Sequence, residues 1–564
     1  MTIIEASLGK TPVDLLVTNV QLANVLTGEI YPADIAVYGA KIVAVEPPGT
    51  QPQRKAGQVL DGGGQLLVPG LIDSHLHIES SLVTPAPFAE AVLRRGITTV
   101  AEDPHEIANA TGLPGVKHFL EASRDLPLTI LFLASTCVPA AKGLEHCRGE
   151  LGPEEIRKML GWEGVIGLAE VMDARAVVDE DPHMSAILQA GRDAGGVIEG
   201  HNPMLTGREL QASPSRYIEK LRLGVTVQLQ ERYMNREVIE AIKALPQPLP
   251  SLCLVTDDVA PDYLESYGHL DHVLKQAIEL GLPPMQALQA ATINPARRLR
   301  LFDRGAIAPG RRADLVLVDS LPSFNVSTTI SGGEIVVENG QTLWRVPPNQ
   351  PELDPLRNSL DLSPLSVEDF RINFPGDGSQ AEVRVIISHP HGTTTEEGRA
   401  VVQLKDGQPQ IDETDLALIG VFARGEIGQS LGFIQGLGLQ KGALATTHAH
   451  DSHNLMVIGR DDQSMATAAN AVIGMEGGMA VSVDNEVLAR VPLPIAGIIS
   501  DSPMPAVAYQ WGRLTGVLAD LGVKHPFLLM RLTTFTLPVS TGLRITDMGY
   551  VRAAERELVP LLVG

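Results

Sequence analysis

The chain is 564 residues long, 44% hydrophobic and 20% charged, and carries a formal net charge of -23. That is globular composition in a chain too long for one ordinary core, with room for roughly three to four domains, fewer if one of them is a barrel. So acidic a balance argues against nucleic acid or an anionic membrane surface as partner and leaves small molecules.

The opening residues, MTIIEASLGK, lack a basic stretch followed by an apolar core, so no secretory signal is expected. From residue 14 to about 67, short β-rich runs such as 15–20 and 34–38 alternate with turn residues at Gly39, Gly49 and 62–64, the pattern of a small sheet. From residue 70 to about 301 the pattern changes to apolar runs (97–100, 128–133, 165–169, 196–199, 225–229 and 252–255), each followed by a helix-like stretch. This alternation predicts a parallel α/β barrel or an open sheet. The apolar stretch 128–138 is too short to span a bilayer and ends at Pro139. Cys137, Cys147 and Cys253 show no CxxC spacing, which fits a reducing compartment, and a cytoplasmic protein is expected. Residues 305–319 and 333–340 return to strand-and-turn chemistry. The predicted organisation is a β domain built from both flanks, 1–68 with 302–346, around a barrel at 69–301. The Pro-rich segment 347–355 reads as a linker, and 356–564 as a separate α+β domain.

The stretch VPGLIDSHLHIESS at 68–81 places His75 and His77 at the end of the first apolar run of the barrel. Alternate strand residues share a face, so both imidazoles can address one site, and imidazole is a common ligand of divalent metals. An HxH pair in a strand is also often a surface feature; Asp73 and Glu79 around it, at a strand end, favour chemistry. Glu170, His201 and Asp257 likewise end later apolar runs. Taken singly, Glu170 reads equally as a solvated acid, His201 as a buried hydrogen-bonded histidine, and one of Asp257 and Asp258 as a helix cap. Together, His, His, Glu, His and Asp at successive strand ends make the ligand set of a hydrolytic metal centre. Asp103-Pro-His-Glu106 is either pocket lining or a helix start. His389-Pro-His391 reads as a turn, and the polar loop 446–454, TTHAHDSHN, is expected at the surface, with a functional loop as the alternative.

These residues carry a resemblance. PGLIDSHLHIESS, DPHEIAN at 103–109, LAEVM at 168–172, GHNPMLTGRELQA at 200–212, TDD at 256–258, GAIAPGRRADLVLV at 305–318 and HDSHNLMVIG at 450–459 are similar to bacterial adenine deaminases of the amidohydrolase superfamily. The similarity runs over nearly the whole chain, and HIESS with DPHEIAN is more diagnostic than HxH. The resemblance implies a metal-dependent (β/α)8 barrel, a flanking composite β-sandwich and an additional C-terminal α+β domain. It implies hydrolysis of adenine to hypoxanthine and ammonia by a cytoplasmic homodimer, with a manganese or iron pair. By position it implies His75, His77, Glu170, His201 and Asp257 as metal ligands, with Asp257 and Glu170 catalytic. Glu79, Asp103, His105 and His453 are candidates for the substrate pocket. One departure stands out: residues 210–224 run directly together where the family has a sixth strand ending in a metal-binding histidine, and no histidine lies between His201 and His269. A barrel lacking that strand and a centre reduced to one metal are therefore allowed for. So are an inactive purine-binding relative and an amidohydrolase acting on a cyclic amide.

Overall fold

The structure is a computed structural model; it describes residues 2–50, 54–201, 215–246, 249–346, 353–374, 378–390, 392–412, 414–425 and 428–563. The first sheet has nine strands drawn from both flanks of the chain. Val13–Asn24, Glu29–Tyr38, Lys41–Glu46, Ala56–Asp61 and Leu66–Pro69 come from one side, and Leu315–Val318, Val326–Ser331, Glu334–Glu338 and Gln341–Thr342 from the other. The halves join where Leu66–Pro69 runs antiparallel to Leu315–Val318, with Leu67 opposite Leu317. Alternating residues of these strands (Leu15, Val17, Ile35, Leu67, Leu315, Leu317) form their own apolar cluster, as period-two patterning requires.

The chain leaves this sheet at Pro69 and enters the next through Gly70. A Cβ on Gly70 would stand 2.2 Å from Thr98 Oγ1, so only glycine passes at this point. Five parallel strands follow in spatial sequence: Leu71–Leu76, Ile97–Glu102, Thr129–Ala134, Val165–Val171 and Val197–Gly200. Val227–Leu229 and Leu252–Leu254 form a second parallel pair. The sheet curls back on itself, because Asp257, just beyond that pair, bridges Leu76 of the first strand and donates its N–H to the His75 carbonyl at 3.2 Å. The helices that return the chain have clear apolar faces; Val238, Ile239 and Ile242 of Arg236–Lys243, for example, are buried. Among the described residues, no strand pairs with the outer edge of Val197–Gly200, where Ile198 is 39% exposed. The shortened join around Ala212 and the turn at Pro203 lie outside the described residues.

Most of the segment read as a linker, 347–352, also lies outside the described residues, and a short 3₁₀ turn, Asp354–Leu356, follows it. The last part of the chain has a second nine-stranded sheet, ordered Gln408–Gln410, Thr395–Lys405, Gln380–Ser388, Gln429–Gln435, Leu416–Phe422, Leu455–Gly459, Ala443–Thr446, Gly478–Val483 and Glu486–Pro492. Asp462–Gly474 packs against it through Met465, Ala468, Ala469 and Val472. This part is docked on the parallel sheet by backbone pairing: Ser500 N–H donates to the Leu82 carbonyl at 2.9 Å, and Thr84 N–H to the Ser500 carbonyl at 3.0 Å. Of the two histidines in the turn predicted at 389–391, His391 lies outside the described residues, and His389 pairs with Glu396 at 3.2 Å. No described helix is long and apolar enough to cross a membrane.

Candidate metal and substrate site

The polar residues converge at the C-terminal ends of the parallel strands. Asp73, His75 and His77 share one face of the first strand and its continuation, and all three are buried. Each histidine has one ring nitrogen committed elsewhere. His75 Nδ1 meets Glu199 Oε2 at 2.9 Å, and His77 Nδ1 donates to the Asp103 carbonyl at 3.0 Å. The Nε2 atoms therefore face inward: His75 Nε2 is 3.7 Å from Glu170 Oε2, and His77 Nε2 is 3.7 Å from Glu170 Oε1 and 3.5 Å from Asp257 Oδ1. His201 Nδ1 meets Glu170 Oε2 directly. Donor atoms of His75, His77 and Asp257 lie within 4.8 Å of one another, as do those of His75, Glu170 and His201, and those of His77, His105 and Glu170.

The electrostatics follow from burial and pairing. Burial alone would raise the Glu170 carboxyl, but His201, then His75 and His77, hold it well below the usual range. Asp257 is held well down against burial by His77, Arg232, His75 and His201. Burial opposes the charged form of His75, but Glu199, Glu170 and Asp257 push it up to about 9. Burial pushes Asp73 up to about 7 although Thr256 Oγ1 donates to it at 2.7 Å. Asp257 sits at φ +62, a left-handed conformation that Asp tolerates better than most residues.

HIESS acquires a physical reason here. It forms the short turn Ile78–Ser81, whose Ser80 hydroxyl donates to Asp258 Oδ1 at 2.6 Å and whose Ser81 hydroxyl donates to the Ile78 carbonyl at 2.6 Å. Glu79 accepts the Ile107 N–H at 3.2 Å, at the start of the helix His105–Ala122. The DPHE segment is therefore both a helix start and part of the site, since His105 opens the helix and its side chain reaches the cavity.

That cavity, of about 390 Å³, is lined by His77, His105, Glu170, His201, Arg232 and Asp257 and, from the last part of the chain, by His450, Asp451 and Met530. Of the pocket candidates read from sequence, His105 is in the lining. Glu79, Asp103 and His453 are not; each is fully buried and engaged behind it, Asp103 by the Ser135 hydroxyl at 2.7 Å and His453 Nδ1 by the Ala449 N–H at 3.3 Å. The loop 446–454 is not displayed at the surface: all of its residues are buried, with the Thr447 hydroxyl donating to the Gly497 carbonyl, the His450 N–H to the Thr533 carbonyl and the Asn454 amide to the His146 carbonyl. Beyond the shortened join, Gln228 donates to the Ser74 carbonyl, and Glu231 pairs with His272 and Tyr263. Sequence reading missed Glu199, Arg298 and Arg232. Glu199 was within reach, because it lies two residues before His201 in a strand and so has the same parity.

Comparison with known proteins fits this arrangement. Residues 392–557 match the "Adenine deaminase C-terminal domain" family, and residues 66–213 and 210–336 match the "Amidohydrolase family". The chain is 38% identical to "Adenine deaminase 2" of Rhizobium johnstonii, covering 97% of this chain and 93% of the relative. It is 37% identical to "Adenine deaminase" of Moorella thermoacetica, covering 100% and 98%. The chain belongs to the adenine deaminase family. A solved β-aspartyl dipeptidase from Fervidobacterium islandicum AW-1 is also similar, at 20% identity and a TM-score of 0.43 over 58% of this chain and 98% of that one. Within the adenine deaminase family assignment, the amidohydrolase match falls in two pieces that meet at residues 210–213, the join where the sequence runs short. The C-terminal domain for which the first family is named supplies His450, Asp451 and Met530 to the cavity wall.

Proposed function

We propose that the chain is an adenine deaminase, hydrolysing adenine to hypoxanthine and ammonia in purine salvage, and that the observation carrying this reading is the convergence of His75, His77, Glu170 and Asp257, of which His77, Glu170 and Asp257 line one cavity and His75 turns Nε2 toward Glu170. The set fits a divalent ion: two imidazoles present Nε2 with Nδ1 tied back, and two carboxylates are held ionised. Such an ion, manganese or iron in this reading, supplies a Lewis acid that makes water nucleophilic near neutral pH. The neighbouring position has Glu170 and His201 among the described residues, which favours a centre whose first position is complete and whose second is weak.

Asp257 is the proton carrier. Gln230 donates to its Oδ2, and Arg232 lies 3.6 Å from the same oxygen, leaving Oδ1 toward His77 and the cavity. That oxygen takes a proton from the water attacking C6 of adenine and returns one to the departing amino group as the C6–N bond breaks, releasing ammonia. Glu170 turns one oxygen toward His75 and His201 and the other toward His77, so it would help to hold the ion while orienting His201. His105 forms part of the cavity wall, with Asp103 3.6 Å from its Nδ1 and Glu79 holding the start of its helix through the Ile107 N–H.

The same reading divides the chain into a composite β-sandwich (1–68 with 302–346), a (β/α)8-type barrel (69–301) short of its sixth strand, and a C-terminal α+β domain (356–564). A cytoplasmic homodimer completes it; the three cysteines are free thiols, as a reducing compartment allows. Incubating the Mn²⁺-loaded protein with adenine tests it: hypoxanthine and stoichiometric ammonia are expected. Bound metal without turnover overturns the activity, and release of a ring-opened product from a cyclic amide points to the other amidohydrolase chemistry.

A further inference from the structure

A second set of donors converges where the C-terminal part meets the parallel sheet. His105 and Glu106 open the helix His105–Ala122, and His450 and Asp451 lie in the loop between Ala443–Thr446 and Leu455–Gly459. All four side chains are buried, none more than 4% exposed. Asp451 Oδ1 stands 3.6 Å from His105 Nε2 and 3.6 Å from His450 Nδ1, and His450 Nδ1 stands 3.6 Å from Glu106 Oε1. The ligand atoms of His105, Glu106 and His450 lie within 4.8 Å of one another.

These separations are too long for hydrogen bonds between opposite charges, which draw in to about 2.7–2.9 Å. They also leave a deficit: neither ring nitrogen of His450 has a hydrogen-bond partner, nor do Glu106 Oε2, Asp451 Oδ2 or His105 Nδ1. Buried polar atoms are ordinarily satisfied, and of the converging atoms His450 Nδ1, which faces both Glu106 Oε1 and Asp451 Oδ1, has no hydrogen-bond partner. The spacing suits a metal ion, since tetrahedral donors about 2.1 Å from a zinc ion stand roughly 3.4 Å from one another. Two imidazoles and two carboxylates suit a divalent first-row transition ion. Its charge also offsets the buried carboxyls of Glu106 and Asp451, whose ionisable neighbours at this seam include His105 and His450.

We propose that His105, Glu106, His450 and Asp451 bind a divalent transition-metal ion that fastens the C-terminal domain to the barrel, at a position separate from the His75–His77–Asp257 centre. Two ligands come from each side of the seam, so the ion holds His450 and Asp451 where they form the cavity wall. This site does not depend on the deaminase activity proposed above.

Zinc titration of the full chain separates the two centres. In a His75→Ala/His77→Ala background, stripped with chelator and titrated with Zn²⁺, one tight equivalent per chain is expected, together with a rise in Tm. Adding Asp451→Asn or His450→Gln, which keeps the side-chain volume, should abolish both the tight equivalent and the rise, while the circular dichroism and Tm of the chelator-treated protein stay at background values. Lack of a tight equivalent in the background overturns the proposal, as does Zn²⁺ uptake unchanged by His450→Gln and Asp451→Asn. Wild-type metal content in His75→Ala/His77→Ala would instead overturn the barrel ligands, and the His450→Gln arm would still decide the seam.

Discussion

Glu199 Oε2 holds His75 Nδ1 at 2.9 Å, while Glu199 Oε1 is ion-paired with the Arg298 guanidinium at 2.7 Å. The arginine fixes the carboxylate, the carboxylate fixes the ring, and Nε2 of His75 is left facing Glu170. A carboxylate behind a ligating histidine also raises the basicity of the ring. Glu199→Gln keeps the shape and removes the charge, so metal affinity should fall about tenfold, the lower end of what loss of such a partner costs. Competition against a chelator measures it. Wild-type affinity in the variant would mean that His75 binds no metal.

Asp257 stands 3.5 Å from His77 Nε2, and its other oxygen accepts from Gln230 and lies 3.6 Å from Arg232. Asp257→Asn preserves these neighbours but cannot carry a proton. The expected loss in kcat is about 10²–10⁴-fold, the usual range for a positioned acid–base group, with a smaller change in KM. Ammonia release at saturating adenine, normalised to bound metal, measures the chemical step alone. A variant retaining more than a tenth of wild-type kcat would move the proton carrier elsewhere.

In the metal-free protein His75 is pushed up to about 9; burial opposes this shift, and Glu199, Glu170 and Asp257 outweigh it. A raised histidine contributes stability that is fully present below its unfolded value of about 6.5 and is lost as pH rises through about 9. Glu170 and Asp257, both held low, contribute above the ordinary carboxylate range and lose that contribution on acidification. Metal must displace the His75 proton, so affinity should climb with pH up to about 9, with about one proton released per ion bound through that ring. Isothermal titration in buffers of different ionisation enthalpy counts the proton. A flat affinity between pH 7 and 9 contradicts the pairing.

Much of this site was legible because each inward-facing residue ends an apolar run. His75 and Glu170 lie at the ends of the strands Leu71–Leu76 and Val165–Val171, His201 and Asp257 just beyond Val197–Gly200 and Leu252–Leu254, and buried parallel strands leave a strong sequence signal. The loop 446–454 was not legible in that way. Eight of its nine residues are polar, and nothing local records that other parts of the chain pack over them, so solvent exposure was the natural expectation and burial the outcome. His453 and Asp103 illustrate the limit from another side: their chemistry was suggestive, but whether a side chain lines a cavity or props up its wall is decided by packing between residues distant in sequence, as when Arg424 Nε donates to the His453 carbonyl at 2.9 Å and Ser135 to Asp103. Arg232 was missed for a related reason. Its value lies in its position beside Asp257 and Asp258, residues from the next strand end.

The entry to the first strand offers a test of the scaffold without touching the chemistry. Gly70 passes Thr98 so closely that an added Cβ would stand 2.2 Å from Oγ1 and 2.9 Å from Cβ of the threonine. Both residues are buried, with Gly70 N–H donating to the Asp314 carbonyl at 2.9 Å, so the backbone has little room to yield. Gly70→Ala should destabilise the fold by roughly 1–3 kcal/mol, the range for overpacking a filled core. Thr98→Gly removes the clashing atoms at the cost of a small cavity, so the double variant should be more stable than the two single losses added together. Denaturant unfolding of the four proteins reads the coupling. Strict additivity would show that the strand shifts to accommodate the methyl group; the His75 and His77 imidazoles would then shift with it, and metal affinity would fall in Gly70→Ala alone.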